Sequence, residues 1–255
     1  MGIILKTREE IMLMREAGRI VAAVLDAIEA ACLPGATTAD LNAIAEGILR
    51  DRRARSSFLG YDPHSAPPYP AVLCTSVNDV VVHGIPNAKQ KLQEGDIIGV
   101  DFACQKDGYS ADAARTIAVG VVSAPARALL VDTRLALEAA IKECLPGRHL
   151  GDIGAAIEAL AREKGHGIVR DFVGHGIGKE MHEAPAIPNY GRRGAGLELK
   201  EGMVLAIEPM LTQGSGSVKV LADGWTVVTK EGGLAAHWEH SIAITKKGPR
   251  VLTLA

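Results

Sequence analysis

Apolar residues recur at helical spacing over the first thirty residues of the chain. Thr7 and Glu10 form the pattern of a capping box, and apolar side chains follow at three- and four-residue intervals as far as Ile28. The breaker pair Pro34-Gly35 ends this segment. A second helix is predicted to open at Thr37, so the chain begins with two helices in succession.

Shorter β-prone runs follow this helical part. Strands are predicted near 72–77, 97–104 and 115–121, where β-branched and apolar residues cluster. Residues 58–71 contain Gly60 and several prolines, so this stretch is predicted to be a loop and not a central strand.

The second half of the sequence repeats this order. Ser123 opens a long helix rich in alanine and leucine, and a further helix is predicted from about 152 to 163. The breaker Cys-Leu-Pro-Gly of residues 32–35 recurs at 144–147, an offset of 112.

A second match carries a charged residue with it. Residues 92–101 read LQEGDIIGVD and residues 199–208 read LKEGMVLAIE, so Asp101 falls on Glu208. An ionised carboxylate at the end of a buried apolar strand is costly unless a cation meets it. The repeat therefore predicts a site to which both copies contribute an acid.

The two matches predict the domain organisation. We expect a single α+β domain, residues 1–255, whose halves of about 1–121 and 122–255 are related by pseudo-twofold symmetry. A chain of 255 residues with 47% hydrophobic and 23% charged residues is typical of a globular protein. Its net charge of −2 gives no basic surface, so a nucleic-acid partner is not predicted.

Cysteine spacing and the N-terminus bear on the compartment. The cysteines at 32, 74, 104 and 144 include no C-x-x-C pair, which argues against a disulfide framework or a cysteine zinc site. The first residues lack the apolar core of a signal peptide, and no run reaches the length of a membrane helix. We expect a cytoplasmic, monomeric protein with no membrane partner.

Two acids flank a predicted hairpin turn. Asp101 and Asp112 lie on either side of Lys106-Asp107-Gly108, so adjacent antiparallel strands can bring them to one sheet face. Two ionised carboxylates so close would repel unless a cation bridges them. The alternative is that one acid is buried and the other is solvated.

The second half supplies further metal-ligand types. His175 lies in the glycine-rich GHGIGKEMHE, Glu208 ends its apolar run, and Glu239 precedes another β-prone run. Four carboxylates and one imidazole suit Mn, Fe, Co or Zn ions in a bridged pair, and their charge balances two divalent ions. His83 closes a β-branched run at a turn, where a histidine is more often structural than catalytic.

Taken together, five sequence blocks resemble the signature of the type I methionine aminopeptidases. The blocks are SVNDVVVHGIPN, the D-x10-D pair, GHGIGKEMHE, MVLAIEPM and WEHSIAIT, and the resemblance covers nearly the whole chain. It implies the pita-bread fold, which prolidase, aminopeptidase P and creatinase share. It also implies a metal-dependent aminopeptidase that removes the initiator methionine from nascent polypeptides with a small second residue. The length fits a short bacterial form.

The resemblance implies a role for each metal ligand. Asp112 and Glu239 match residues that bridge two divalent ions, Asp101 matches a chelator of one ion, and His175 and Glu208 match ligands of the other. A water activated by the ions would attack the scissile carbonyl.

The resemblance also implies catalytic roles. Glu208 matches the residue that moves protons. His83 and His182 match histidines that contact the scissile amide and stabilise the tetrahedral intermediate, which favours catalysis over the structural interpretation of His83.

The resemblance maps a pocket for the methionine side chain less closely. The predicted pocket residues, besides the two histidines, are Tyr69, Cys74, Trp225, Met181, Tyr61 and Phe58. The loop between Tyr61 and Tyr69 is longer than in compact bacterial forms, and Met181 replaces an aromatic residue. We expect methionine selectivity to persist and the pocket shape to differ.

Two other functions stay open at this point. The chain could be another pita-bread peptidase, specific for X-Pro bonds, or a pita-bread binding protein without catalysis. Transient association with the ribosome is a further expectation, because nascent N-termini emerge there.

Overall fold

The structure is a computed structural model that describes residues 2–64 and 66–255. The helices are α1 (Arg8–Ala31), α2 (Thr38–Arg52), α3 (Ala124–Lys142) and α4 (Leu150–Lys164). The strands are β1 (Arg55–Ser56), β2 (Cys74–Val77), β3 (Val80–Val82), β4 (Ile97–Lys106), β5 (Tyr109–Ala118), β6 (Gly167–Ile168), β7 (Gly174–Gly176), β8 (Glu183–Ile187), β9 (Val204–Ile207), β10 (Met210–Thr212), β11 (Val218–Val220), β12 (Val227–Thr229), β13 (Ala235–His237), β14 (His240–Thr245) and β15 (Gly248–Val251).

All four predicted helices are present. Three of them begin directly after the residues that the sequence indicates as N-caps, which are Thr7, Thr37 and Ser123. The fourth begins at Leu150, two residues before its predicted start. Its capping box explains the difference, because the carboxylate of Asp152 accepts a hydrogen bond from the backbone N–H of His149 at 2.8 Å.

The predicted hairpin is longer than expected. Asp107 and Gly108 form a two-residue turn with φ of 50° and 81°, the left-handed conformations that a type I′ turn requires. The strand predicted at 115–121 in fact runs from Tyr109 to Ala118 and pairs with β4 along its whole length. Its alanine-rich first half has weak β propensity, so pairing with β4 decides its conformation.

Two antiparallel sheets form the centre of the molecule. In one, β4 pairs with β1, β2 and β5; in the other, the order is β15-β14-β9-β7-β8. The sheets meet where Glu239 and Ala114 exchange backbone hydrogen bonds of 2.9 and 3.4 Å. The predicted α+β class is confirmed.

Each sheet is covered by its own pair of helices. Residues of α1 and α2, such as Leu25 and Leu41, pack with Phe102 of β4 in one buried cluster. Residues of α3 and α4 pack with β9 and β14 in a second cluster that includes Leu137 and Ile153. Of the helices in the described part of the chain, none combines the length and the hydropathy of a transmembrane span.

The sequence repeat has a counterpart in the backbone hydrogen bonds. Gly35 donates to the carbonyl of Leu92 at 2.8 Å, and Gly147 donates to the carbonyl of Leu199 at 2.9 Å, at the offsets of 112 and 107. Next to these hydrogen bonds, isolated β-bridges join Thr37 to Lys91 in the first half and His149 to Glu198 in the second, at the same two offsets. On the strength of this recurrence, we propose that the chain is one domain of two pseudosymmetric halves, divided as the sequence predicts.

Candidate metal centre and substrate pocket

The β4–β5 hairpin carries two acids on one face. Asp101 is opposite Ala114 and Asp112 is opposite Ala103, so alternation along the strands puts both carboxylates on the same side as diagonal neighbours. The Oδ1 atoms of both acids are fully buried. The alternative in which one acid is solvated therefore does not apply.

The second sheet brings three more ligand types to the same place. His175 on β7 is opposite Ala206 on β9, and Glu208 follows two residues later on the same face. Glu239 lies between β13 and β14, where its backbone bonds to Ala114 join it to the hairpin that bears the aspartates. The predicted ligands converge where the two sheets meet.

The distances within this group fit shared ligation better than hydrogen bonding. His175 Nε2 lies 3.7 Å from Glu208 Oε1 and 3.9 Å from Asp112 Oδ2. These separations exceed a hydrogen bond, whereas two donors about 2.0–2.2 Å from one ion lie about 3.0–4.2 Å apart. His175 Nδ1 lies 2.9 Å from the carbonyl of Gly176, which only accepts, so the lone pair is on Nε2.

Unsatisfied buried oxygens test whether the site fits a cation. Within the described part of the chain, Asp101 Oδ1, Asp112 Oδ1 and Glu239 Oε1 are buried without a hydrogen-bond partner. Asp112, His175 and Glu239 each offer one ligand atom within 4.8 Å of the others. Uncompensated acids in such a place are costly, so the donor set fits divalent cations that prefer oxygen and imidazole ligands.

Burial shifts the pKa values of these groups in opposite directions. It raises the pKa of Asp112 to about 7, and burial with the nearby charge of Asp112 raises the pKa of Asp101, Glu208 and Glu239 well above their usual range. Burial lowers the pKa of His175 to about 3, so this imidazole is neutral. Without a cation the acids hold protons that a bound metal would displace.

The sequence analysis missed one histidine in the cluster. His237, on β13, forms a second group of possible ligands with Glu208 and Glu239, and burial lowers its pKa to about 3. The available signal was strand alternation, because His237 precedes Glu239 by two residues and alternate residues share a face.

Two predicted catalytic histidines border the acids. The ring of His182 stands edge-on to that of His175 at a centroid distance of 4.4 Å. Nδ1 of His182 lies 2.8 Å from the hydroxyl of Tyr61. His83 lies edge-on to Trp225 at 6.1 Å, and burial lowers its pKa to about 4.

One cavity of about 90 Å³ joins the acids to an apolar chamber. It is lined by every residue that the sequence analysis selected: Phe58, Tyr61, Tyr69, Cys74, His83, Asp101, Asp112, His175, Met181, His182, Glu208, Trp225 and Glu239. The roles assigned to the individual residues stay predictions.

Aromatic rings form the walls of the chamber. Tyr69 lies edge-on to Trp225 at 5.1 Å and to Phe58 at 6.3 Å. The indole Nε1 of Trp225 donates to the carbonyl of Pro67 at 2.7 Å. Pro67 belongs to the loop between Tyr61 and Tyr69, so this loop supports one wall of the chamber; Ser65, in the same loop, lies outside the described residues.

The fold and the site together define a class of protein. Buried acids and an imidazole beside an apolar chamber, between two sheets covered by helices, are the features of a pita-bread metallohydrolase. Residues 12–246 match the model of metallopeptidase family M24. The chain belongs to this family and, within it, to the type I methionine aminopeptidases.

Individual relatives agree with this assignment. Methionine aminopeptidase B of Synechocystis sp. is 46% identical over 254 residues, which cover 100% of this chain and 93% of the relative. The crystal structure of methionine aminopeptidase from Thermotoga maritima matches with a TM-score of 0.96 at 41% identity, over 100% of both chains.

A more distant structure bears on the fold alone. Prolidase from Pyrococcus furiosus matches with a TM-score of 0.75 at 23% identity, over 99% of this chain and 66% of that one. The pita-bread fold predicted from the sequence is confirmed.

Proposed function

We infer that this chain is a metal-dependent aminopeptidase that removes the N-terminal methionine from polypeptides whose second residue is small. The observation that carries this conclusion is the cavity in which the buried acids meet a chamber walled by Tyr69, Trp225 and Met181. An apolar chamber next to a polar reacting centre holds one side chain and presents its backbone to the chemistry. Relatives of high identity are methionine aminopeptidases, so an X-Pro peptidase is not favoured.

We propose two divalent ions, held as the resemblance implies. Asp101 would chelate one ion, His175 and Glu208 the other, and Asp112 and Glu239 would bridge them. The donor types suit Mn, Fe, Co or Zn. When bound, the ions would supply Lewis acidity that polarises the scissile carbonyl and lowers the pKa of a water.

Glu208 would accept and deliver the proton. Its carboxylate lies 3.7 Å from the His175 imidazole, and burial raises its pKa well above the usual range. The role itself rests on the match of Glu208 to the family residue that moves protons, and a carboxylate is a suitable general base.

The two histidines of the cavity would hold the scissile amide. Burial raises the pKa of Tyr61, so its hydroxyl keeps its proton and can donate to Nδ1 of His182, 2.8 Å away. With this donation the proton of His182 would reside on Nε2, from which it could be donated to the substrate. His83 is neutral because burial lowers its pKa, so it can also donate from one nitrogen.

The chamber would select the side chain. The edges of Tyr69 and Trp225 and the thioether of Met181 offer soft, polarizable contacts to another thioether. Cys74 is directly opposite Asp101 in the β2–β4 ladder, so the floor of the chamber adjoins the acids. We further propose action on nascent chains in the cytoplasm, by a monomer in transient contact with ribosomes, because initiator methionine is exposed there.

A peptide assay tests the function. Purified chain loaded with Mn or Co is expected to release methionine from Met-Ala-Ser faster than it cleaves Ala-Pro-Ala. Leu-Ala-Ser is the matched control for the chamber, because its side chain is branched, and slower cleavage is expected. A preference for the proline peptide would indicate an X-Pro peptidase. If the chain released no methionine when loaded in turn with Mn, Fe, Co and Zn, it would be a binding protein.

A further inference from the structure

A second imidazole, that of His237, lies against the acid cluster. His237 is 3% exposed, and its Nε2 finds no hydrogen-bond partner among residues 2–64 and 66–255. That nitrogen lies 3.6 Å from Glu208 Oε2 and 3.9 Å from Glu239 Oε2. A buried polar nitrogen without a partner is energetically unfavourable, and a cation bound to the lone pair of this nitrogen would remove that cost.

Glu208 is placed between two imidazoles. His175 Nε2 lies 3.7 Å from one carboxylate oxygen, and His237 Nε2 lies 3.6 Å from the other. Both separations are too long for hydrogen bonds and fall in the range of two donors that share an ion. His175 matches a metal ligand in residue type and position. By its distance from Glu208, His237 is placed equally well to bind a metal ion.

The backbone of His237 is held in place from both sides. Its N–H donates to Thr116 Oγ1 at 2.8 Å, and the Thr116 hydroxyl donates to its carbonyl at 2.8 Å. The residue also pairs with Met210 across β13 and β10. The imidazole is therefore directed at the acids by the sheet itself, as preorganised ligands are.

We propose that His237 is a further metal ligand, which supplies an imidazole nitrogen to an ion that Glu208 and Glu239 also hold. This inference rests on the proposed function and extends its ligand set from five side chains to six. The centre then has two imidazoles, one beside each oxygen of Glu208. Added nitrogen favours Zn, Co and Fe over Mn.

X-ray absorption spectroscopy of the wild-type chain loaded with two equivalents of Co tests the proposal directly. Scattering from two imidazoles per protein molecule is expected, and from one in His237→Gln. Scattering from a single imidazole in the wild type would overturn the proposal and make His237 a neighbour of Glu208 that does not bind metal. The wild-type count decides the question even if the variant does not fold.

Calorimetric titration of the metal-free chain with Co supplies the second readout. His237→Gln is expected to bind one ion at least about tenfold more weakly. His175→Gln is the positive control, and His64→Gln, whose side chain is 90% exposed, is the matched substitution expected to leave binding unchanged. Unchanged affinity in folded His237→Gln would overturn the proposal.

The two proposals fail separately. If the wild type releases methionine but shows a single imidazole, the function stands and the role of His237 is wrong. If the metal-loaded wild type releases no methionine, the function is wrong whatever the imidazole count.

Discussion

The hydroxyl of Tyr61 lies 2.8 Å from Nδ1 of His182. The two rings stand edge-on at a centroid distance of 5.2 Å, and His182 stands edge-on to His175 in turn. A residue at the start of the long loop therefore orients the histidine that borders the acids. A ring nitrogen that accepts a hydrogen bond fixes which nitrogen carries the proton.

Tyr61→Phe removes this hydroxyl and keeps the ring. Because a hydrogen bond is worth about 1 kcal/mol net, we expect kcat for Met-Ala-Ser to fall by about fivefold. Metal content, measured by elemental analysis, should not change. Tyr190→Phe is the matched control, since the Tyr190 ring packs under Arg170 away from the cavity. Equal kcat in the two variants would contradict the role of Tyr61.

Glu208→Gln removes the proposed proton carrier and changes a metal ligand at once. We expect kcat to fall by at least about 100-fold, the usual contribution of a general base. Steady-state release of methionine from Met-Ala-Ser measures it. Glu201→Gln, at an exposed position in the preceding turn, should behave as the wild type. Near-normal turnover in Glu208→Gln would refute the assignment.

Metal binding should release protons. Asp112 has a pKa of about 7, and the pKa values of Asp101, Glu208 and Glu239 are raised well above their usual range. Raised pKa values favour the protonated acids, so part of this set holds protons in the metal-free chain near neutral pH, and apparent metal affinity should rise with pH. Calorimetry in buffers of different ionisation enthalpy counts the protons. The Asp101→Asn variant should release fewer protons than the wild type when it binds metal. Uptake of protons on metal binding would contradict the raised pKa values.

The same shifts predict how stability depends on pH. The folded pKa values of the acids lie above their unfolded values, so their protonated forms favour the folded chain, and this stability is lost as pH rises from the unfolded values through the folded ones, which for Asp112 means up to about 7. Above about pH 6.5, where the buried histidines are neutral in both states, the Tm of the metal-free chain should fall as pH rises through the folded pKa values of the acids. Added Mn should reverse this fall, and an unchanged Tm would contradict the prediction.

Trp225→Ala opens one wall of the chamber. The indole packs against Tyr69 and is anchored by its hydrogen bond to Pro67. Loss of about 1.5 kcal/mol of apolar contact with the methionine side chain should raise KM about tenfold, with a smaller change in kcat. Trp225→Phe keeps an aromatic wall but loses the hydrogen bond to Pro67, so its KM should lie between those of the wild type and Trp225→Ala. A fall in kcat with constant KM would show that Trp225 acts in chemistry instead.

Local rules were enough to predict the helices and the central hairpin. Capping residues such as Thr7 and the Asp107-Gly108 turn act within a few residues, so their effect can be read without knowledge of the fold. The alanine-rich start of β5 is different, because it becomes a strand only by pairing with β4. Propensity alone does not predict such a segment.

The site residues also fall into those that the sequence predicts and those that depend on long-range pairing. The repeat that aligns Asp101 with Glu208 indicates acids from both halves, and the resemblance supplies the remaining ligands. His237 was missed although its two-residue spacing from Glu239 offered a local signal, and only its approach to Glu208 depends on the pairing of β13 with β10. The bond from Trp225 to Pro67 joins residues 158 positions apart and is equally beyond local reasoning.

His83 has a left-handed backbone, with φ of 61°, a conformation that is unfavourable by about 1–3 kcal/mol for a residue with a side chain. The following residue, Gly84, leaves no room for a Cβ, which would lie 2.1 Å from the carbonyl oxygen of Thr75. Glycine would adopt the backbone conformation of His83 with less strain, so the imidazole is kept at a cost in stability. Directed evolution for heat resistance alone would tend to discard His83, so thermostable variants of this enzyme should be selected under an activity screen.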